Sequence, residues 1–137
     1  MRNSLLTGLA LAAWLSVAPA IAGNQSPLFV NLTSDDSHRV TMALAFSKSQ
    51  LERGHPLTIW LNDRAVLFGA KQKSASFPEQ QKMLKDLMAK GAVVLVCPLC
   101  MEHYGVEKGD LIEGTSVGNP DVTGAALFKD DTRTLTW

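Results

Sequence analysis

Short aliphatic runs and longer amphipathic stretches take turns along this chain. Leu28-Phe29-Val30-Asn31-Leu32, Leu57-Thr58-Ile59-Trp60-Leu61 and Ala92-Val93-Val94-Leu95-Val96 have the length and the β-branched or aliphatic content of strands, and residues 132–137 read as a last one. The third run is apolar throughout, the pattern of a strand buried on both faces. Between the first two runs, Val40, Ala43, Leu44, Ser47 and Leu51 recur at helical spacing. They predict a helix capped by Asp36 or Ser37 and stopped by Gly54. Asn62-Asp63-Arg64 turns into a short helix over 65–68, and residues 69–75 read as a polar, mobile segment. Ser76-Phe77-Pro78-Glu79 has the form of a capping box with proline in the first turn. It opens a helix that turns Met83, Leu84, Leu87 and Met88 inward and stops at Gly91. Residues 110–114 fit no single element, and 120–128 read as helical.

Strands alternating with helices imply an α/β fold with a parallel sheet covered on both faces. In such sheets ligands bind at the carboxyl ends of the strands. Three loops gather there: 33–36, 62–64 and 97–100. No internal repeat or low-complexity tract interrupts the pattern.

The first residues do not belong to this alternation. Arg2, a mostly apolar stretch from Leu5 to Val17 and the small-x-small triplet Ala20-Ile21-Ala22 form a signal-peptide pattern. The division expected is a signal peptide over 1–22, cleaved after Ala22, and one domain over 23–137. In a bacterium this means a periplasmic protein with no membrane span after cleavage, since the apolar run falls short of the ~20 residues a spanning helix needs. Basic and acidic residues balance at 13 each over the whole chain, and loss of Arg2 leaves a slight acidic excess. No basic stripe appears, which argues against a nucleic-acid partner.

Both cysteines of the chain lie in Cys97-Pro98-Leu99-Cys100, directly after the third strand. Pro98 suits the first turn of a helix. Cys97 then falls at the helix N-terminus, where the partial positive charge favours a thiolate. A disulfide across so short a loop restricts the unfolded chain little, so stapling explains the pair poorly. Three chemical readings remain beside an inert or oxidised pair. Cys97 is a nucleophilic or sulfur-carrying thiol. The pair is a thiol–disulfide redox couple, since C-P-x-C resembles glutaredoxin active sites, although theirs follows the first strand and this one the third. Or the pair is half of a zinc or copper site, with His103 or Met101 as further ligands. A c-type haem is excluded because Met101 stands where histidine is required.

The order of these parts resembles the DsrE/DsrF-like sulfur-relay family. The resemblance is carried by the opening strand Leu28–Leu32, by Ile59-Trp60-Leu61-Asn62-Asp63-Arg64-Ala65-Val66, and by Val94-Leu95-Val96-Cys97 with Gly105-Val106 beyond it. Leu111-Ile112-Glu113-Gly114 and Arg133-Thr134-Leu135-Thr136 complete it. The resemblance implies a three-layer α/β/α sandwich with a mostly parallel sheet of about five strands, assembled as a homo-oligomer. It implies a strand-end cysteine, here Cys97, that takes up sulfane sulfur as a persulfide. A sulfur donor or acceptor protein, or a small thiol, is then the partner, and no cofactor is called for. Cys100 is an addition to that pattern and can resolve a Cys97 persulfide into a disulfide. Export also departs from the cytoplasmic relays. The remaining alternative is a non-catalytic oligomeric binding protein.

Cys97 and Cys100 are thus the catalytic candidates, and Asn62, His103 and Asp35 the binding candidates. Asn62 offers a donor for a bound anion, and His103 a cation or base beside the thiols. Asp35 and Asp36 also suit helix capping. His38 follows the first strand-end loop, His55 reads as a turn residue, Trp60 as core, and Trp137 as an interface or strand-end residue.

Overall fold

A computed structural model describes residues 25–137. The signal-peptide segment and its cleavage point lie outside the described residues. Five strands, β1 (Leu28–Leu32), β2 (Leu57–Leu61), β3 (Val93–Val96), β4 (Ser116–Val117) and β5 (Arg133–Thr136), form one sheet in the order β4-β3-β2-β1-β5. Every pairing is parallel. Helices α1 (Ser37–Glu52), α2 (Pro78–Ala89), α3 (Pro98–His103) and α4 (Pro120–Leu127) fill the connections.

Register assigns the faces. Asn31, Trp60, Leu95 and Ser116 are direct partners across β1 to β4, so they share one face. Val30, Ile59 and Val94 form a row on the opposite face. That second face carries the main core, where Val40, Ala43 and Leu44 of α1 and Leu84 and Leu87 of α2 pack on it. The chain steps from β1 to β4 in one direction and then returns past all of them to β5. Right-handed crossovers put the helix of that return on the other face. Thr123 of α4 accordingly lies beside Trp60 and Gly118. The result is the three-layer α/β/α arrangement, with a thick layer that contains α1 and α2 and, among the described residues, a thin layer formed by α4. The thin layer explains why Val93 is 48% exposed although the rest of β3 is buried.

Local chemistry sets the boundaries. Asp36 caps α1, its Oδ1 accepting from the Arg39 amide at 2.7 Å. Asp36→Ala removes that acceptor from an orphan N–H, and a loss of about 1 kcal/mol is expected in urea unfolding. The expected capping box at Ser76 does not form. Phe77 is the N-cap of α2 and no side chain caps it. Pro78 is the reason, because the residue before proline is driven out of the helical region, so Phe77 cannot be a first-turn residue. Phe77 instead packs its ring on Phe68 at 4.3 Å.

Residues 69–75 are expected as a polar and mobile segment, but the first two residues are anchored, while 71–75 are mostly exposed. Gly69 and Ala70 are buried, Ala70 bridges to Leu111, and the Gly69 carbonyl accepts from Ile112 at 2.8 Å. The carbonyl of Ala70 also takes a buried hydrogen bond from Gln81 Nε2 at 2.7 Å. The same contacts give 110–114 its conformation. Gln80 reaches from α2 to Thr41 Oγ1 on α1 at 2.8 Å, so two glutamines on an apparently polar helix face are buried ties.

Candidate functional site

The carboxyl ends of β2, β3 and β4 build the site. Strand β3 ends at Val96, and Cys97 follows in extended conformation as the N-cap of α3. Its amide donates to the Leu61 carbonyl at 2.9 Å, which prolongs the ladder to β2 by one bond. Its Sγ accepts from the Cys100 amide at 3.4 Å, the position a serine or aspartate oxygen takes in an ordinary cap. Gly105, at φ 66°, provides the left-handed residue beyond the end of α3. Cys97 is buried, at 8% exposure, and Cys100 is half-buried.

Both cysteines are free thiols, and their sulfurs lie 2.6 Å apart. Cys100 Sγ also donates to Asn62 Oδ1 at 3.1 Å and accepts from the Asp63 amide at 3.2 Å. Asn62 caps the turn after β2 by accepting from the same Asp63 amide at 2.9 Å. Asp63 sits at φ 47°, a left-handed conformation that is uncommon outside glycine and aimed here at a sulfur. Its carboxylate takes a 2.6 Å hydrogen bond from the Tyr104 hydroxyl. That bond holds the Tyr104 hydroxyl above its usual range, since ionisation would place two negative charges together. Burial, and then the contact with Cys97, push the Cys100 thiol up to about 11, against the opposing pull of the Asp63 amide.

Because its folded value is raised, Cys100 favours the folded state below the ordinary thiol range and gives that contribution up as pH rises towards about 11. Alkylation of Cys100 in the native protein is expected to follow the same titration, with a midpoint near 11. In Cys97→Ala the midpoint should fall, because one of the raising contacts is gone. A native midpoint in the ordinary thiol range would contradict this geometry.

A second side of Cys97 opens on a hollow of about 260 Å³ walled by Trp60, Pro98, Leu99, Gly118, Asn119 and Thr123. Its lining is almost wholly apolar. Gly118 lets two of its walls close up, since a Cβ there would run into the Trp60 ring and Thr123 Oγ1. Trp60 is half-buried and is both a core residue and a wall of the hollow.

The structure thus joins Asn62 to Cys100, from whose Sγ its Oδ1 accepts. Asp35 stands one shell farther out, paired with Arg64 at 3.6 Å. His103 is exposed and its ring meets Tyr104 edge-on at 4.6 Å. His38 is exposed on α1, and His55 Nδ1 bonds the Ser26 carbonyl at 2.9 Å, a turn contact. Trp137 finishes the sheet, its amide bonded to the Asn31 carbonyl at 2.9 Å. Asp63, Tyr104, Gly118 and Thr123 were not singled out by sequence. Tyr104 stands four residues after Cys100, one helical turn, and that spacing was the available signal. Among the described residues no group of three or more His, Cys, Asp and Glu side chains converges as a metal site. No helix among them is long and apolar enough to cross a membrane.

Comparison with known proteins agrees with this architecture. The sequence profile of the DsrE/DsrF-like family matches residues 26–135. The uncharacterized protein MJ0989 of Methanocaldococcus jannaschii is 34% identical over 80 residues, which cover 58% of this chain and 70% of that protein. Among solved structures, the protein of unknown function MTH1491 from Methanobacterium thermoautotrophicum superposes with a TM-score of 0.67 at 13% identity, covering 81% of this chain and 98% of that one. The ychN protein from E. coli gives 0.64 at 22% identity, covering 82% and 99%. At these identities the two structures speak for the fold alone.

Proposed function

The chain belongs to the DsrE/DsrF-like family, and from that premise we propose that it accepts sulfane sulfur as a persulfide on Cys97. Membership supports sulfur-relay chemistry of a general kind. The observation that carries the finer reading is the placement of Cys97. It follows directly on an interior strand, its sulfur receives the Cys100 amide in the first turn of α3, and it borders an apolar hollow. A hollow of that character suits a small persulfide or polysulfide chain better than a strongly hydrated ligand.

The donor or acceptor is a protein or small thiol, and the compartment is the periplasm, after removal of residues 1–22. The working form is a homo-oligomer, a reading supported by exposed apolar side chains at Leu99 (76%) and Phe128 (81%). A thiol–disulfide couple is the second reading, favoured by the 2.6 Å separation of two free sulfurs. A metal module would need ligands beyond the two thiols, and the described part of the chain supplies no such cluster.

Loading of the Cys100→Ser variant tests the proposal, since it leaves Cys97 as the sole cysteine. Incubated with glutathione persulfide, it should gain the mass of one sulfur atom on the peptide containing Cys97. Failure to gain it while the variant remains folded removes the reading.

A further inference from the structure

We propose that Cys100 resolves the Cys97 persulfide, so that the accepted sulfur leaves as sulfide and the chain is left with a Cys97–Cys100 disulfide. The inference rests on Cys97 as the accepting thiol and adds the fate of the sulfur. Four features of the site point the same way. The Cys100 sulfur already lies 2.6 Å from the atom it would attack. Such proximity replaces an encounter with a second molecule by an intramolecular step. Cys97 is buried, which favours a nucleophile from within the site over a bulky acceptor. The Asp63 amide donates to Cys100 Sγ at 3.2 Å, a contact that stabilises negative charge developing on the attacking sulfur. Asn62 Oδ1 accepts from Cys100 Sγ at 3.1 Å, a contact that helps to hold this sulfur beside Cys97. The Asp63 amide is held in its left-handed conformation with its side chain tethered by Tyr104. A simple carrier with one working thiol has no use for this arrangement around the second.

The step balances. The bond between Cys100 Sγ and Cys97 Sγ forms as the bond from Cys97 Sγ to the outer sulfur breaks. The two cysteines lose two electrons, and the outer sulfur gains them and leaves as hydrosulfide. The Cys100 proton ends on that leaving group, giving hydrogen sulfide. Burial keeps Cys100 a thiol at rest, so the attacking group brings the proton its leaving group needs. Return to the dithiol requires an external dithiol that reduces the disulfide by thiol exchange. The chain then stands between a reaction that supplies sulfane sulfur and a dithiol reductant, with sulfide as the product.

Reduced wild-type protein, the Cys100→Ser variant and the double variant Cys97→Ser, Cys100→Ser are mixed anaerobically with one equivalent of glutathione persulfide. Sulfide, intact mass and the thiols that alkylate after denaturation are followed. Wild type should release one equivalent of sulfide, lose two hydrogens and become resistant to alkylation at both cysteines. Cys100→Ser should keep the added sulfur and release no more sulfide than the double variant. Wild type that keeps the sulfur while Cys100 remains alkylatable overturns the resolution step and leaves the carrier reading standing. A wild-type disulfide formed without sulfide overturns it as well. Absence of uptake by both wild type and Cys100→Ser removes this inference together with the reading beneath it.

Discussion

Cys97→Ser is expected to abolish sulfur uptake from a persulfide donor, without loss of the fold. Serine is among the best helix N-caps, and its Oγ can accept the Cys100 amide that Cys97 Sγ accepts at 3.4 Å. The backbone bond from residue 97 to the Leu61 carbonyl is indifferent to the side chain. What disappears is the sulfur nucleophile, for which a neutral hydroxyl is no substitute. The remaining thiol does not compensate. Burial is the largest cause of the raised Cys100 value and is untouched by the substitution, so Cys100 stays largely protonated near neutral pH and reacts slowly with an external donor, in contrast to a persulfide held beside it on Cys97. Mass spectrometry should therefore show sulfur on Cys100→Ser and none on Cys97→Ser, with similar unfolding midpoints for the two. Equal loading of both would move the acceptor away from Cys97.

Gly118→Ala should cost more stability than any surface change, although it adds only a methyl group. The new Cβ would lie 2.8 Å from Thr123 Oγ1 and 2.9 Å from Trp60 Cη2, inside the distances real Cβ atoms keep. A flexible side chain would swing aside. The Trp60 ring is a stiff plate set on β2, and Thr123 belongs to α4, which covers that face of the sheet. Either the ring or α4 must move, and overpacking of this sort costs roughly 1–3 kcal/mol. Urea unfolding should shift by that amount, with a change in native tryptophan fluorescence. Because the same residues wall the hollow beside Cys97, alkylation of Cys97 should change in rate too. A variant with unchanged stability and unchanged Cys97 reactivity would mean that the hollow is not shaped by Gly118.

Much of the fold was legible because its signals are local. The buried face of α1 was read residue by residue, as Val40, Ala43, Leu44 and Ser47. The apolar run of β3 announced a strand of a parallel sheet, and Pro98 after Cys97 announced the helix that begins there. The errors were equally physical. Ser76 and Glu79 satisfy the capping pattern, but Pro78 forbids the conformation that pattern needs at Phe77. Strand β4 has two residues and owes its existence to pairing with Leu95 and Val96, so no periodicity could reveal it. Residues 69–75 look like a loop by composition, yet Gly69 and Ala70 are held from outside the segment by Leu111, Ile112 and Gln81.

The site divides along the same line. Sequence alone determined that the two cysteines sit where a strand hands over to a helix, that Cys97 occupies the cap, and that the loop after β2 ends on the same edge. The first two follow from contacts within a few residues, which the order of amino acids encodes directly, and the third from the rule that parallel strands share one carboxyl edge. Only the tertiary structure decided what surrounds the sulfurs. Asn62 and Asp63 reach Cys100 from more than thirty positions away, Tyr104 closes on Asp63 from the far side of a turn, and Gly118 admits the Trp60 ring by what it lacks. Such pairings depend on the parallel register that brings the ends of β2, β3 and β4 together. Register is a property of the sheet as a whole and not of any one segment.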